Sequence, residues 1–234
     1  MHTPTTPITT DEWFEKWMEL YKKRTVKAGT VDTYTALYKS QIHPAIGHIA
    51  LASVTQEQLQ TLINNQYDQG YASNTIQLTR AVLSGMLGKA NSCSIIASKP
   101  SDGLILPRAA AKKEVHALTK EEQQTLLHYC TGTPIEGPIK LALYTGMRGG
   151  EICGLQWQDV DFDANAIHIR HTLKSAKGIR YYLDTPKTSS SIRDIPLIGK
   201  AITLLENTPN KSNTFVFQIN GDPITKGQLA FCET

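Results

Sequence analysis

Residues 9–97 carry apolar side chains at the spacing of amphipathic helices. The first predicted helix begins at Thr9 and Glu12, whose separation fits a capping box. A second follows Gly29-Thr30 and is predicted to end at His43-Pro44, because the residue before a proline avoids the helical region. The apolar side chains of both segments are assigned to a core rather than to a ligand site.

Two more helices and a linker are predicted before the second half of the chain. Thr55 and Gln58 open the third helix, and the fourth follows Ser73-Asn74. Residues 98–115 mix proline, glycine and charge without a sustained period, which is typical of a domain boundary. The predicted organisation is a tail over 1–8, a helical domain over 9–97, a linker over 98–115 and a second domain over 116–234.

The second half changes from helical to alternating periodicity. Thr119 and Glu122 fit another capping box, and a helical segment is predicted from about Gly137 through Gly154. Beyond Trp157, apolar and polar residues alternate, which predicts strands. The later elements are strands at 166–173, 179–183, 192–197 and 215–217, a turn-rich hairpin connection at 184–191, a helix at 199–206 and a turn at 221–223. The expected fold is mainly α with a small antiparallel sheet.

Composition favours an ordinary soluble protein with two modest domains. The chain has 234 residues, of which 40% are hydrophobic and 19% charged. No apolar run approaches the roughly 20 residues needed to span a bilayer. The first residues lack the basic and apolar segments of a signal peptide, so we expect a cytoplasmic protein with no membrane partner.

Neither a metal nor a cofactor is expected. The sequence contains no CxxC pair and no HExxH motif. His168 and His171 lie three residues apart on a predicted strand, which points them to opposite faces. We interpret the four cysteines as buried free thiols: Cys93, Cys130, Cys153 and Cys232.

The net charge is only +3, but basic residues cluster in two segments. The first cluster, opposed only by Glu19, consists of Lys16, Lys22, Lys23, Arg24 and Lys27. The second, opposed only by Asp184, consists of Arg170, Lys174, Lys177, Arg180, Lys187 and Arg193. Such clusters suit contacts with DNA phosphates. A solvated surface explains basic residues equally well.

Two motifs in the second half identify a family. Residues 143–162 read Leu-Tyr-Thr-Gly-Met-Arg-Gly-Gly-Glu-Ile-Cys-Gly-Leu-Gln-Trp-Gln-Asp-Val-Asp-Phe, and residues 185–197 read Thr-Pro-Lys-Thr-Ser-Ser-Ser-Ile-Arg-Asp-Ile-Pro-Leu. The first resembles the signature of tyrosine recombinases (phage or transposon integrases), in which a Thr-Gly-x-Arg turn leads into a helix with Glu. The second is similar to the family's β-hairpin with its catalytic lysine. The helices over 9–97, with a break at 42–47, look like the family's SAM-like core-binding domain. The resemblance therefore implies a core-binding domain followed by a partial α+β catalytic domain.

The resemblance implies that Arg148, Glu151 and Lys187 belong to the catalytic site. A guanidinium presents a planar fork of donors that can hold two oxygens of a phosphate under attack. Glu151, one helical turn further on, is placed to orient Arg148. Lys187, which has a long side chain and lies on the predicted hairpin, suits protonation of the departing 5′-oxygen. On the residues alone, an Arg and a Glu at this spacing are usually a surface ion pair, and a lysine in a polar turn is usually solvated.

The glycines beside Arg148 lack the spacing of a nucleotide-binding loop. They are instead expected to let a DNA backbone approach closely, since they carry no side chain. The glycines in question are Gly146, Gly149 and Gly150.

The family's later residues do not occur in this sequence. The resemblance implies a His-x-x-Arg pair and a nucleophilic tyrosine after the hairpin, but no histidine follows His171 and no tyrosine follows Tyr182. We therefore expect a C-terminally truncated recombinase that binds double-stranded DNA and cannot cleave it alone. Other recombinase subunits are further candidate partners. The alternatives are a non-enzymatic DNA-binding decoy or regulator, and a remnant of a decayed mobile element.

Overall fold

The computed structural model describes residues 7–108, 116–176, 179–185, 192–212 and 214–229. Contacts between Cα atoms divide the chain into two compact units, Met1–Glu114 and Val115–Thr234, called here the N-terminal and C-terminal units. Each unit has its own hydrophobic core. The fold is mainly α-helical with small antiparallel sheets, as predicted. Among the described residues, no helix is long and apolar enough to cross a membrane.

The described part of the N-terminal unit is helical. Its α-helices are α1 (Thr10–Trp17), α2 (Ala28–Leu37), α3 (Gln56–Asp68) and α4 (Ser73–Ser92). α1 continues as a π-helix over Met18–Lys22, and α2 as a π-helix over Tyr38–Gly47. A 3-10 turn at Leu51–Ser53 leads towards α3.

Three helices start where their capping boxes predict. They are α1, α3 and, in the C-terminal unit, α5 (Lys120–Cys130). In each, the N-cap threonine oxygen accepts a hydrogen bond from the backbone N–H three residues later, and that residue's side chain accepts one from the threonine N–H. These reciprocal bonds satisfy backbone donors that the start of a helix leaves open.

The second helix runs past its predicted stop at His43-Pro44. Its π-helical part contains Pro44 and continues to Gly47. Ile42 and Ile46 are both buried in the core, and a helical backbone between them places both on the same face. Core packing therefore overrides the local preference of the residue before proline. The helix also begins at Ala28, slightly ahead of the predicted start.

Aromatic rings form the centre of the N-terminal core. Trp17 is 2% exposed, and its ring stacks on that of Tyr34 with 6.2 Å between the centroids. Phe14 stacks on Tyr38 at 3.6 Å. These contacts join α1 to the second helix, and they confirm that the aromatic stripe belongs to the core.

The first part of the predicted linker packs on the N-terminal unit. Leu104 is buried, the Ile105 N–H donates to Gln60 Oε1 at 2.9 Å, and Gln60 Nε2 donates to the Ile105 carbonyl at 2.8 Å. Single contacts of this kind leave no periodic signal in the sequence. Residues 109–115 lie outside the described residues, and the domain boundaries stay a prediction.

The C-terminal unit continues with α6 (Glu136–Thr145) and α7 (Gly149–Cys153). The single helix predicted over Gly137–Gly154 is wrong, because the chain breaks between α6 and α7. Gly146 ends α6 in the left-handed conformation, with φ of 65°, which residues with a side chain adopt at a cost. The break separates Arg148 from α6 and places it at the start of α7.

The strands of the C-terminal unit form two principal sheets in the described residues. The strands of these sheets are β1 (Val160–Asp161), β2 (Ala166–Ile169), β3 (Thr172–Ala176), β4 (Ile179–Asp184) and β5 (Arg193–Pro196). One sheet has the antiparallel order β1-β2-β5, and β3 pairs antiparallel with β4 in the other.

Two predictions about these strands are wrong. The strand predicted over 166–173 is interrupted at Arg170-His171. The hairpin predicted between β4 and β5 is not formed in the described residues, because β5 pairs with β2 and places Ile195 opposite Ile167. Both isoleucines are buried, so burial of an apolar face selects this pairing.

The last described elements are α8 (Lys200–Asn207), β6 (Gln218–Ile219), β7 (Asp222–Pro223) and α9 (Lys226–Leu229). α8 matches its prediction. The strand predicted at 215–217 is wrong, because Phe215 forms only an isolated bridge with Gln156 and the strand begins at Gln218. Val216 and Phe217 are both buried, which an alternating strand with one solvent face does not allow.

The cysteines only partly match their prediction. Cys130 and Cys153 are buried and form no disulfide, as expected, but Cys93 is exposed. Cys93 is the C-cap residue of α4, where the helix ends. Cys232 lies outside the described residues.

Candidate active site

Arg148 lies at the start of α7, directly after the break at Gly146. Its backbone is extended, with φ of −72° and ψ of 145°. The side chain therefore projects from the N-terminal end of α7 and does not lie along a helix. The side chain is 67% exposed. The break between α6 and α7 thus exposes the Arg148 guanidinium to solvent.

Glu151 accepts two hydrogen bonds from Arg148. Its side chain is 5% exposed. One oxygen, Oε2, accepts the Arg148 backbone N–H at 2.9 Å, and the other, Oε1, accepts Arg148 Nη1 at 2.9 Å. The carboxylate therefore fixes both the backbone and the side chain of Arg148.

Arg193 binds the same carboxylate from β5. Its Nη1 donates to Glu151 Oε1 at 2.9 Å, and its Nη2 donates to Oε2 at 2.8 Å. This is a bidentate pair, which is the strongest geometry for a guanidinium and a carboxylate. We call Arg148, Glu151 and Arg193 the arginine–glutamate cluster.

The alternation of β5 explains the inward position of Arg193. Residues two apart on a strand point to the same face, and Ile195 on that face is buried in the core. Arg193 was predicted to contact DNA, but the structure gives its fork to Glu151. The sequence did contain the signal, since Arg193 and Ile195 share one face of the predicted strand.

The electrostatics of the cluster favour an ionised Glu151. Burial alone raises the pKa of a carboxyl group. Here the hydrogen bonds from Arg193 and Arg148 outweigh burial and lower the pKa of Glu151 to about 2. Glu151 is therefore a carboxylate throughout the neutral range.

The second part of the signature motif builds the turn after α7. Leu155 and Asp159 are buried. The Gln156 N–H donates to Asp159 Oδ2 at 3.4 Å, and the Val216 N–H donates to the Leu155 carbonyl at 3.0 Å. This part of the motif therefore anchors the end of α7 to the segment around Val216.

Side chains of the chain itself fill the space beside Gly150. A Cβ at Gly150 would lie 2.5 Å from Thr172 Oγ1 and 2.9 Å from Lys226 Cε. The expectation that this glycine leaves room for DNA is therefore wrong, because β3 and α9 pack there. At Gly146, by contrast, no atom from the other described segments lies within 4 Å of such a Cβ. Lys226 was missed by sequence reasoning, since it stands alone in a short segment with no motif.

Three of the four described residues of the second basic cluster pair with acidic residues: Lys174, Arg180 and Arg193. Lys174 binds Asp184 at 2.5 Å, and Arg180 binds Asp222 at 2.5 Å. Arg170 is exposed. The predicted residues Lys177 and Lys187 lie outside the described residues. Counting charges along the chain hid these pairs, because Asp222 and Glu151 come from distant segments.

The first basic cluster lies in the N-terminal unit and is also partly engaged. Lys23 forms an ion pair with Glu19. Lys22 Nζ lies 5.0 Å from the centroid of the Trp17 ring. Lys16, Arg24 and Lys27 are exposed.

Within the described residues, no group of three or more His, Cys, Asp or Glu side chains could hold a metal ion.

Two family profiles match this chain. The Phage integrase family matches residues 116–230, and the N-terminal SAM-like domain of phage integrases matches residues 9–66. The chain belongs to the phage integrase family. The recognition based on the two sequence motifs is thereby confirmed. The arginine–glutamate cluster lies within residues 116–230, which the Phage integrase family matches.

Curated relatives extend beyond the length of this integrase-family chain. A tyrosine recombinase XerC-like protein of Caldanaerobacter subterraneus subsp. tengcongensis is 25% identical over 218 residues, which are 87% of this chain and 56% of the relative. The transposase from transposon Tn916 of Enterococcus faecalis is 29% identical over 162 residues, 66% of this chain and 40% of the transposase. The chain thus spans about half the length of the relatives it matches.

Solved integrases share the fold. The integrase of transposon Tn1549, solved with a circular intermediate DNA, matches with a TM-score of 0.79 and 23% identity over 94% of this chain and 74% of that one. Lambda integrase bound to DNA matches with a TM-score of 0.70 and 16% identity over 96% and 76%. At such identities the likeness establishes the fold alone.

Proposed function

We propose that this chain binds double-stranded DNA and takes part in site-specific recombination of the integrase type. The proposal is supported by its family and by its likeness to a transposase and to integrases solved with DNA. The proposal is restricted to a polypeptide of residues 1–234, because the curated relatives are longer than this chain. Within it, the arginine–glutamate cluster is the site that receives a DNA phosphate.

The braced but exposed guanidinium of Arg148 is the observation that carries this proposal. Nη1 of Arg148 donates a hydrogen bond to Glu151, while most of the Arg148 side chain stays exposed. An oriented guanidinium offers its remaining donors to two oxygens of a phosphate. A simple Arg–Glu ion pair would be neutral, but Arg193 adds a second cation to the same carboxylate. Two guanidinium groups and one carboxylate leave the cluster with an excess positive charge, which favours an anionic ligand.

Other cations extend the proposed DNA contacts. Arg170 in the C-terminal unit, and Lys16 and Arg24 in the N-terminal unit, are exposed and suit phosphate contacts that position the protein without reading sequence. By the family resemblance, Lys187 is the proposed acid for the departing 5′-oxygen. The proposed role of Arg193 is to bind Glu151, which in turn orients Arg148, and not to contact DNA.

No tyrosine near the cluster is proposed as the nucleophile. Tyr144 packs against the core of the C-terminal unit, and the hydroxyl of Tyr181 donates to Asp222 Oδ1 at 3.3 Å. Arg148 can stabilise charge but cannot form a covalent intermediate. We therefore propose that a polypeptide of residues 1–234 binds DNA without cleaving it.

A nicked duplex pool with randomised sequence around the nick tests both parts of this function. Cleavage next to a nick releases a short fragment and traps any phosphotyrosine adduct. We expect a salt-sensitive complex on native gels and no protein–DNA adduct on denaturing gels. A covalent adduct would show that residues 1–234 contain a nucleophile. Absence of any complex at micromolar protein would refute the proposed DNA binding.

A further inference from the structure

Lys226 lies against the backbone of α7, next to the arginine–glutamate cluster. A Cβ built on Gly150 would be 2.9 Å from Lys226 Cε and 3.3 Å from its Nζ. Gly150 immediately precedes Glu151 and follows Arg148 by two residues. Because consecutive Cα atoms are about 3.8 Å apart, the Lys226 ammonium lies within about 12 Å of the Arg148 Cα. A long arginine side chain and one phosphate group can bridge such a distance.

The start of α9 fixes the position of Lys226. Lys226 is the first residue of α9. The preceding residue, Thr225, donates both its backbone N–H and its hydroxyl to Gln228 Oε1, at 2.8 and 2.9 Å. The lysine stem then covers Gly150, where no side chain of α7 competes for the space. This arrangement fixes the backbone of Lys226, and the residue as a whole is exposed.

The Lys226 charge is not neutralised within the described residues. There it makes no hydrogen bond and no ion pair, and the residue is exposed. The neighbouring carboxylate of Glu151 is already engaged by Arg148 and Arg193. The Lys226 charge does reach Cys153, where burial raises the pKa to about 11 and Lys226 opposes that rise. An exposed cation without an acidic partner, next to an already cationic cluster, is available to an anionic ligand.

We propose that Lys226 is a second phosphate-binding cation of the Arg148 site. The inference rests on the proposed DNA-binding function and adds a residue to it. Arg148 supplies a rigid fork, and Lys226 supplies a point charge on a long stem that can follow the phosphate. The competing role is purely structural, in which the lysine stem only covers Gly150.

The test compares Lys226→Ala, Lys226→Arg and Lys200→Ala in the 234-residue chain. Lys200 is a matched control, since it is an exposed lysine at the first position of α8. The readout is the affinity for a duplex at several salt concentrations. We expect Lys226→Ala to weaken binding roughly fivefold and to reduce the slope of log affinity against log salt by about 0.9, the loss of one phosphate contact. Lys226→Arg should restore the slope, and Lys200→Ala should leave it unchanged.

Combination with Arg148→Ala tests whether both residues serve one phosphate. Residues that share a ligand are expected to lose less together than the sum of their separate losses. If Lys226→Ala binds as tightly as Lys200→Ala, the proposal is wrong. It is also wrong if affinity falls together with the melting temperature and Lys226→Arg restores neither. If the unaltered chain does not bind DNA, the proposed function fails first.

Discussion

Glu151→Gln is expected to destabilise the C-terminal unit by about 3 kcal/mol, as for breaking a buried ion pair. Glutamine is nearly the same size, but it offers one acceptor oxygen where Arg193 and Arg148 together use two. Its amide NH₂ group would face guanidinium donors. Urea unfolding followed by hydrogen exchange of peptides from residues 116–176 measures this unit separately from the other.

The pH dependence of the same variant provides an independent check. The pKa of Glu151 is lowered from 4.5 to about 2 in the folded protein. A lowered pKa means that the stabilising contribution is fully present above about pH 4.5, and is lost as the pH falls towards 2. The unaltered chain should therefore lose this contribution in acid, while Glu151→Gln should lack it at every pH.

Glu206→Gln is the matched control for Glu151→Gln. Glu206 is an exposed glutamate on α8 of the same unit, so its substitution should change stability by less than about 0.5 kcal/mol. Equal stabilities of the Glu151→Gln and Glu206→Gln variants at neutral pH would show that the arginine–glutamate cluster is not a structural brace.

Trp17→Ala is expected to destabilise the N-terminal unit by about 3–5 kcal/mol. The indole is buried, stacks on Tyr34, and lies 6.0 Å from the Phe14 ring centroid. It also packs on Gly85, where a Cβ would come within 3.1 Å of Trp17 Cζ2. Truncation would therefore open a cavity lined by rigid groups. Hydrogen exchange of peptides from residues 10–92 measures the loss.

Leu20→Ala is the control for Trp17→Ala. Leu20 lies in the π-helical continuation of α1 and is 60% exposed, so its truncation should have little effect on stability. Similar effects of the two substitutions would mean that α1 does not pack through Trp17 in solution.

Local features of this protein were predictable from its sequence. The capping boxes of α1, α3 and α5 depend on residues three apart, so a short window contains the whole interaction. The position of Arg148 in a turn before a Glu-bearing helix followed from the family motif. In contrast, the continuation through Pro44 depends on the burial of Ile46 against distant helices, which no local preference reveals.

Two charge pairs of the C-terminal unit could not be predicted, because their partners are distant in the sequence. Arg193 meets Glu151, and Arg180 meets Asp222, only after the strands have paired. The position of Lys226 beside Gly150 depends likewise on the packing of α9 against α7. The sequence thus indicated which residues carry charge, but the fold decides which charges remain free for a ligand.

The most direct test of the phosphate site is a duplex DNA titration of the unaltered chain, Arg148→Ala and Arg80→Ala. Arg80 is an exposed arginine on α4, outside the proposed contacts. Affinity should fall steeply between about 50 mM and about 200 mM salt. Arg148→Ala, unlike Arg80→Ala, should reduce the salt slope by about 0.9. Its fold should persist, since Arg193 still neutralises Glu151. Affinity independent of salt, or an Arg148→Ala variant identical to Arg80→Ala, would contradict the assignment of this cluster to DNA phosphate.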